Sequence, residues 1–114
     1  MDIPVLGLGL ESSCDETAAA VVRDGRTVLS NVISSQIDLH REYYGVVPEI
    51  ASRAHLETIN LLIERALGEA GISFGDLDYV AATSRPGLVG SLLIALQSAK
   101  VISYALGIPL VPVN

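Results

Sequence analysis

The 114-residue chain has no tryptophan, one phenylalanine and one cysteine. A lone cysteine excludes an intramolecular disulfide and suits a reducing compartment. With four tyrosines as the only other aromatic residues, any core must be aliphatic, and a composition half hydrophobic can supply one. Basic residues are also scarce: seven Lys and Arg against thirteen Asp and Glu leave a formal net charge of −6. That balance argues against a major nucleic-acid docking surface, because neutralising phosphates takes clustered positive charge. Met1-Asp2-Ile3-Pro4 puts no basic segment ahead of an apolar run, unlike a signal peptide. The longest apolar tract, Leu88 to Leu106, contains Gln97, Lys100 and three serines, which fits a buried soluble helix better than a membrane span. There is no internal repeat and no low-complexity linker. The size is that of one domain or a piece of one, and a cytoplasmic location with no membrane contact is expected.

What is present is concentrated in two polar stretches. The first, Leu10-Glu11-Ser12-Ser13-Cys14-Asp15-Glu16-Thr17, separates two apolar runs that read as strands, Val5–Leu10 and Ala18–Arg23. Backbone amides and small hydroxyls in such a turn can form a concave nest for an anion. Two adjacent carboxylates add a second requirement. Like charges about 4 Å apart repel by roughly 1 kcal/mol in water and about 4 kcal/mol at an effective dielectric of 20. A phosphate beside Asp15 and Glu16 therefore implies a bridging cation, a positioned water or carboxylates aimed elsewhere. The plainer reading is a polar hairpin whose Asp caps its own turn. Ser12, Ser13 and Thr17 can serve as phosphate-side hydroxyls or as turn caps. Cys14 reads as a small buried thiol, since no partner base is evident.

The pass along the chain continues with a strand at Thr27–Ser34, reached through the short turn Asp24-Gly25-Arg26. A polar connector from Gln36 to Gly45 carries His40, Arg41, Tyr43 and Tyr44; His40 has no companion at metal-ligand spacing. Pro48 opens a long helix with Glu49 against its dipole, and Ile59, Leu62, Ile63, Ala66, Leu67 and Ala70 recur at helical spacing before Gly71. Glu49 and Arg53, at i and i+4, read as a surface pair, while His55 falls on the apolar face of the same helix. Tyr79–Ala82 reads as a buried strand, Gly87–Leu106 as a helix apolar on nearly every side, and Pro109–Val113 as a last strand. A strand–helix–strand crossover needs parallel neighbours, whereas the first three strands form an antiparallel meander. The expected fold is α/β: a ribonuclease-H-like mixed sheet with flanking helices.

The second polar stretch, Thr83-Ser84-Arg85-Pro86-Gly87-Leu88-Val89-Gly90, joins a strand to the apolar helix. A Gly-rich turn of this kind gathers unpaired amides and the helix dipole at one spot suited to an anion. Glycines that only let a helix pack closely on a sheet explain it equally well.

Taken together, Glu11-Ser12-Ser13-Cys14-Asp15-Glu16-Thr17, Gly45-Val46-Val47-Pro48-Glu49-Ile50-Ala51-Ser52-Arg53-Ala54-His55 and Pro86-Gly87-Leu88 closely resemble the TsaD family, in order and spacing. Members of that family are tRNA N6-adenosine threonylcarbamoyltransferases, formerly called O-sialoglycoprotein endopeptidases. The resemblance implies the N-terminal lobe, residues 1–114, of an actin and sugar-kinase superfamily fold. It also implies transfer of a threonylcarbamoyl group from threonylcarbamoyl-adenylate to N6 of the adenine after the anticodon. On the matching positions it gives Asp15 and Glu16 the catalytic role and adds Pro86 and Gly87 to Ser12, Ser13 and Thr17 as nucleotide-side residues. It implies an adenine nucleotide or threonylcarbamoyl-adenylate as ligand. One divalent metal, iron or zinc, is implied too, with ligands beyond this chain: the family's His-x-x-x-His motif falls right after Asn114. Two positions depart from the family pattern, Tyr44 and Arg85, where glycines are usual.

The implied partners are tRNA, mainly through other parts of the protein, an inactive paralogue, an ATPase of the same pathway, and a second copy of this chain. Self-association would use the outward face of the first helix, with Arg53, Glu57, Asn60 and Glu64 lining the contact. An inactive interaction module of the same complex is the chief alternative, against which stand the intact Asp15-Glu16 pair and the Val46-Val47-Pro48-Glu49 helix start. A metallopeptidase, as the older name has it, finds no ligand pair or activated nucleophile in the sequence. A sugar or acid kinase of the same superfamily is the remaining enzyme alternative.

Overall fold

The computed structural model describes residues 3–12, 16–35, 48–83 and 89–113, with the backbone alone at 16, 35, 48–57 and 89–93. Three strands come first: β1 Leu6–Ser12, β2 Glu16–Arg23 and β3 Thr27–Ser35. Helix α1 spans Pro48–Ala70, a single 3-10 turn covers Phe74–Asp76, and β4 is Tyr79–Thr83. Helix α2, Val89–Leu106, and β5, Leu110–Val113, complete the described elements. The sheet order is β3-β2-β1-β4-β5, with β1–β2 and β2–β3 antiparallel and β1–β4 and β4–β5 parallel. This is the mixed sheet that the meander and the two crossovers require.

β1 shows why the sheet has two unlike faces. Its sequence alternates Leu6-Gly7-Leu8-Gly9-Leu10, and successive side chains point to opposite sides. Leu8 and Leu10 are buried in a row with Val21 and Ala19 of β2 and Val80 and Ala82 of β4. Against that face lie Ile59, Leu62, Ile63, Ala66 and Leu67 of α1 and Ala95 and Ala99 of α2, forming one aliphatic core. The other face carries Gly7, Gly9, Ala18, Ala20 and Ala81, with Val28, Ile33, Val111 and Val113 exposed on it. Gly7 is required there, because a Cβ at that position would meet the Tyr79 ring. The mixed sheet with flanking helices is as expected, and both described helices lie on the same face of it.

Two aspartates set the register of the central strands. Val5 N–H donates to Asp24 Oδ1 at 2.9 Å, and Leu6 N–H donates to Asp78 Oδ2 at 2.8 Å. Reciprocal backbone bonds, Asp24 N–H to the Val5 carbonyl and Asp78 N–H to the Leu6 carbonyl, are both 2.7 Å. The start of β1 is thus clamped to the β2–β3 turn on one side and to the start of β4 on the other. With that start fixed, Leu10 pairs with Ala82 across the parallel ladder.

Both helices stop in the same way. Gly71 and Gly107 have φ near +70° (72° and 66°), and Ile72 N–H and Ile108 N–H reach back to the Leu67 and Ser103 carbonyls. This is the left-handed glycine stop that the sequence pattern predicts.

Three sequence expectations are corrected. β1 runs on to Ser12 and β2 starts at Glu16, because the antiparallel ladder continues through Glu11↔Ala18 and Ser12↔Thr17. Only residues 13–15 separate the two strands. Next, α2 is buried along one side only: Val101 is 67% and Tyr104 92% exposed. Its apolar residues surround the helix; Ala95 and Ala99 are fully buried, and Ile94, Leu96 and Ile102 pack partly buried against the core. Last, β5 begins at Leu110, with Pro109 accepting from Val80 N–H just before it. The connector 36–45 lies outside the described residues, as do the side chains of Glu49, Arg53, His55 and Glu57.

Candidate functional site at the strand ends

Parallel pairing of β1 and β4 sends both strands toward the same edge of the sheet. β1 ends at Ser12 and hands over to residues 13–15; β4 ends at Thr83 and hands over to residues 84–88. The two polar stretches, more than sixty residues apart in sequence, therefore leave the sheet at one edge, from adjacent strands. In open α/β sheets, ligands bind outside the carboxyl ends of the strands. Helix α2 starts at Val89, directly after the second stretch, so its N-terminus belongs to the same edge.

At this edge the covered face turns from aliphatic to polar. Ser12 and Thr17 lie opposite each other in the β1–β2 ladder, and Thr17 faces Ser34 of β3. Ser12 and Thr17 are both fully buried, continuing the row of Leu8 and Leu10 onto the helix side. Ser12 Oγ accepts from the Ala95 N–H of α2 at 3.1 Å. On the far side of the core, Ser30 Oγ donates to the Ala66 carbonyl of α1 at 2.7 Å. Each helix is thus tied to the sheet by a buried serine.

Of the candidate residues read from the sequence, Ser12 and Thr17 are in place at the edge, and Glu16 opens β2 beside them. Ser13, Cys14, Asp15, Arg85, Pro86 and Gly87 lie outside the described residues. Sequence reasoning missed that Ser12 points under α2. The signal was the alternation itself, since the parity of Leu8 and Leu10 extends to residue 12. Among the described residues no group of His, Cys, Asp and Glu is arranged to hold a metal ion.

Two hollows frame the site. A groove of about 250 Å³ on the open face, lined by Gly9, Glu11, Ala18, Ala81, Thr83 and Val113 among others, reaches the strand ends. A larger one, about 510 Å³, lies between α1 and α2 and is lined by Asn60, Ile63, Glu64, Phe74, Gln97 and Val101 among others. Among the described residues, the larger hollow is lined by none from either polar stretch.

Strand order and mixed pairing define a ribonuclease-H-like lobe. Solved structures agree. YeaZ from Pseudomonas aeruginosa matches with a TM-score of 0.70 at 22% identity, over 96% of this chain and 44% of that one. RuvC of Thermus thermophilus, in complex with a Holliday junction, matches with a TM-score of 0.58 at 12% identity, over 96% of this chain and 64% of that one. At such identities the likeness is one of fold.

The chain belongs to the TsaD family. The family model described as tRNA N6-adenosine threonylcarbamoyltransferase matches residues 27–114. The protein of that name from Geotalea uraniireducens is 60% identical over 96% of this chain, which covers 32% of that relative. The chain spans about a third of the length of the curated relatives it matches.

Proposed function

We propose that this chain forms the N-terminal lobe of a tRNA threonylcarbamoyltransferase and that its strand-end edge is one wall of the reaction cleft. The carrying observation is the parallel β1–β4 pairing, which brings the connections 13–15 and 84–88 to a single edge. In this reading the residues around Ser13 and the Pro86-Gly87 stretch receive the phosphate of threonylcarbamoyl-adenylate through amides and hydroxyls. Asp15 and Glu16 orient the N6 amine of adenine and accept its proton as the carbamoyl carbon is attacked and AMP leaves. A carboxylate pair suits this work because attack by a weakly basic amine is speeded by a positioned proton acceptor. The metal implied by the family would be held by residues outside this chain. tRNA, at odds with a net charge of −6 here, would dock mainly elsewhere on the protein. No helix among the described residues is long and apolar enough to cross a membrane, and a cytoplasmic location is proposed with the function.

The test is nucleoside mass spectrometry of tRNA incubated with threonylcarbamoyl-adenylate and the full-length protein. Threonylcarbamoyladenosine is expected in tRNAs that read codons beginning with A and in no variant lacking the adenine after the anticodon. Unmodified tRNA, with phosphoryl transfer from ATP to a small sugar or acid instead, would move the protein to the kinase branch of the superfamily.

Partner association is proposed on the helix side. Asn60 and Glu64 of α1 line the hollow between the helices together with Phe74 and Val101, and Leu61 and Tyr104 are exposed on the same two helices. Apolar surface rimmed by charge is what a protein partner covers. Glu64→Lys is expected to weaken association of this lobe with a second copy or with the paralogue in sedimentation experiments. A strictly monomeric lobe at about 100 µM that also ignores the paralogue would remove this surface.

A further inference from the structure

We propose that Ser12 is a positioning residue whose buried hydroxyl holds helix α2 against the end of β1 and thereby fixes the spacing of the two edge connections. The proposal rests on the transferase reading above for its catalytic consequence, although the contact itself does not. Ser12 is the last residue of β1, fully buried, and accepts from Ala95 N–H at 3.1 Å. An amide inside a helix ordinarily finds its acceptor four residues back in the same helix. Here an acceptor comes from a strand, which requires the helix backbone to lie very close to the sheet. Ala95 and Ala99, both fully buried, permit that approach.

The location of the contact gives it consequence. The Ser30–Ala66 tie sits in the ladder row of Leu8 and Val21, mid-sheet. The Ser12–Ala95 tie sits in the last row before the strands end, where β1 passes into residues 13–15. Ala95 is six residues beyond Val89, about 9 Å along the helix axis. A shift of α2 at Ala95 is carried by a stiff helix to Val89 and so to residues 84–88. Ser12 is also continuous through the chain with residues 13–15. One hydroxyl therefore links the carboxylate-bearing connection to the glycine-bearing one. A hydrogen bond in this dry setting is strong. Ser12 acts in this account through α2, not by touching the nucleotide.

The experiment compares Ser12→Ala and Ser12→Thr in the full-length protein. Ser12→Ala is expected to lower kcat by about tenfold to a hundredfold, the range a displacement on the order of 1 Å produces. KM for threonylcarbamoyl-adenylate and Kd for ATP should stay within about twofold, and Ser12→Thr, which keeps the hydroxyl, should recover most of the rate. Adding Asp15→Ala to Ser12→Ala should cost less than Asp15→Ala alone, because the two act through one geometry. Hydrogen exchange gives a readout independent of transfer: amides from 84 to 95 should exchange faster in Ser12→Ala than in Ser12→Thr. Wild-type kcat and exchange in Ser12→Ala, with only a lower Tm, would reduce the contact to packing and overturn the proposal. A loss of ATP affinity not recovered by threonine would overturn it in favour of direct ligand contact. If the unmutated protein transfers nothing, the transferase reading fails, while the exchange comparison still decides whether Ser12 holds the two connections.

Discussion

Asp15→Ala and Glu16→Ala in the full-length protein are each expected to lower turnover by about two to four orders of magnitude while leaving thermal stability nearly unchanged. Glu16 opens β2, and Asp15 belongs to the three-residue connection between β1 and β2. A short carboxylate side chain adds little to an aliphatic core. Loss of a carboxylate at the edge therefore removes a positioned acceptor without opening a cavity. Steady-state transfer to tRNA, with a melting curve for each variant, reads both quantities. Near-normal turnover in both variants would return this pair to ordinary turn chemistry. Equal losses of rate and stability would assign it to folding.

Ile59→Ala is the variant expected to damage the lobe most. Ile59 is fully buried between α1 and the sheet, whereas Leu61, two residues on, is 67% exposed. Truncating a buried isoleucine forfeits its transfer free energy and leaves a cavity, together about 2–5 kcal/mol. Against a total stability of about 5–15 kcal/mol for a domain, that is a large share. The unfolding midpoint should fall by about 10 °C or more, while Leu61→Ala stays within about 0.5 kcal/mol of the parent. Denaturant titration of the two variants makes the comparison. A cost at Leu61 matching that at Ile59 would mean that α1 presents a different face to the sheet.

The sequence made the fold legible where one pattern had one physical outcome. Apolar spacing from Ile59 to Ala70 fixed the buried side of α1, Gly71 and Gly107 marked the helix ends, and the strand–helix–strand order required the parallel pairs. The site was legible in part. Both polar stretches were recognised, and parallel pairing puts the ends of the strands before them at one edge of the sheet. What was not read came from treating strands as apolar runs. Leu6-Gly7-Leu8-Gly9-Leu10 looks uniformly apolar to a composition count, yet its parity separates a covered face from an open one. The same parity carries Ser12 under α2 and Glu11 onto the open face, so two neighbours in one polar motif have different surroundings. The exposure of Val101 and Tyr104 was likewise hidden, because apolar residues all around α2 do not say which side meets the sheet.

The ends of β1 and β4 are proposed to carry one reaction site. A crystal structure of the full-length protein with a non-reactive analogue of threonylcarbamoyl-adenylate tests it most directly. The analogue's phosphate is expected within hydrogen-bond reach of both connections, 13–15 and 84–88, with its carbamoyl group toward Asp15 and Glu16. An analogue seated in the hollow between α1 and α2, or contacting only one of the two connections, would contradict it.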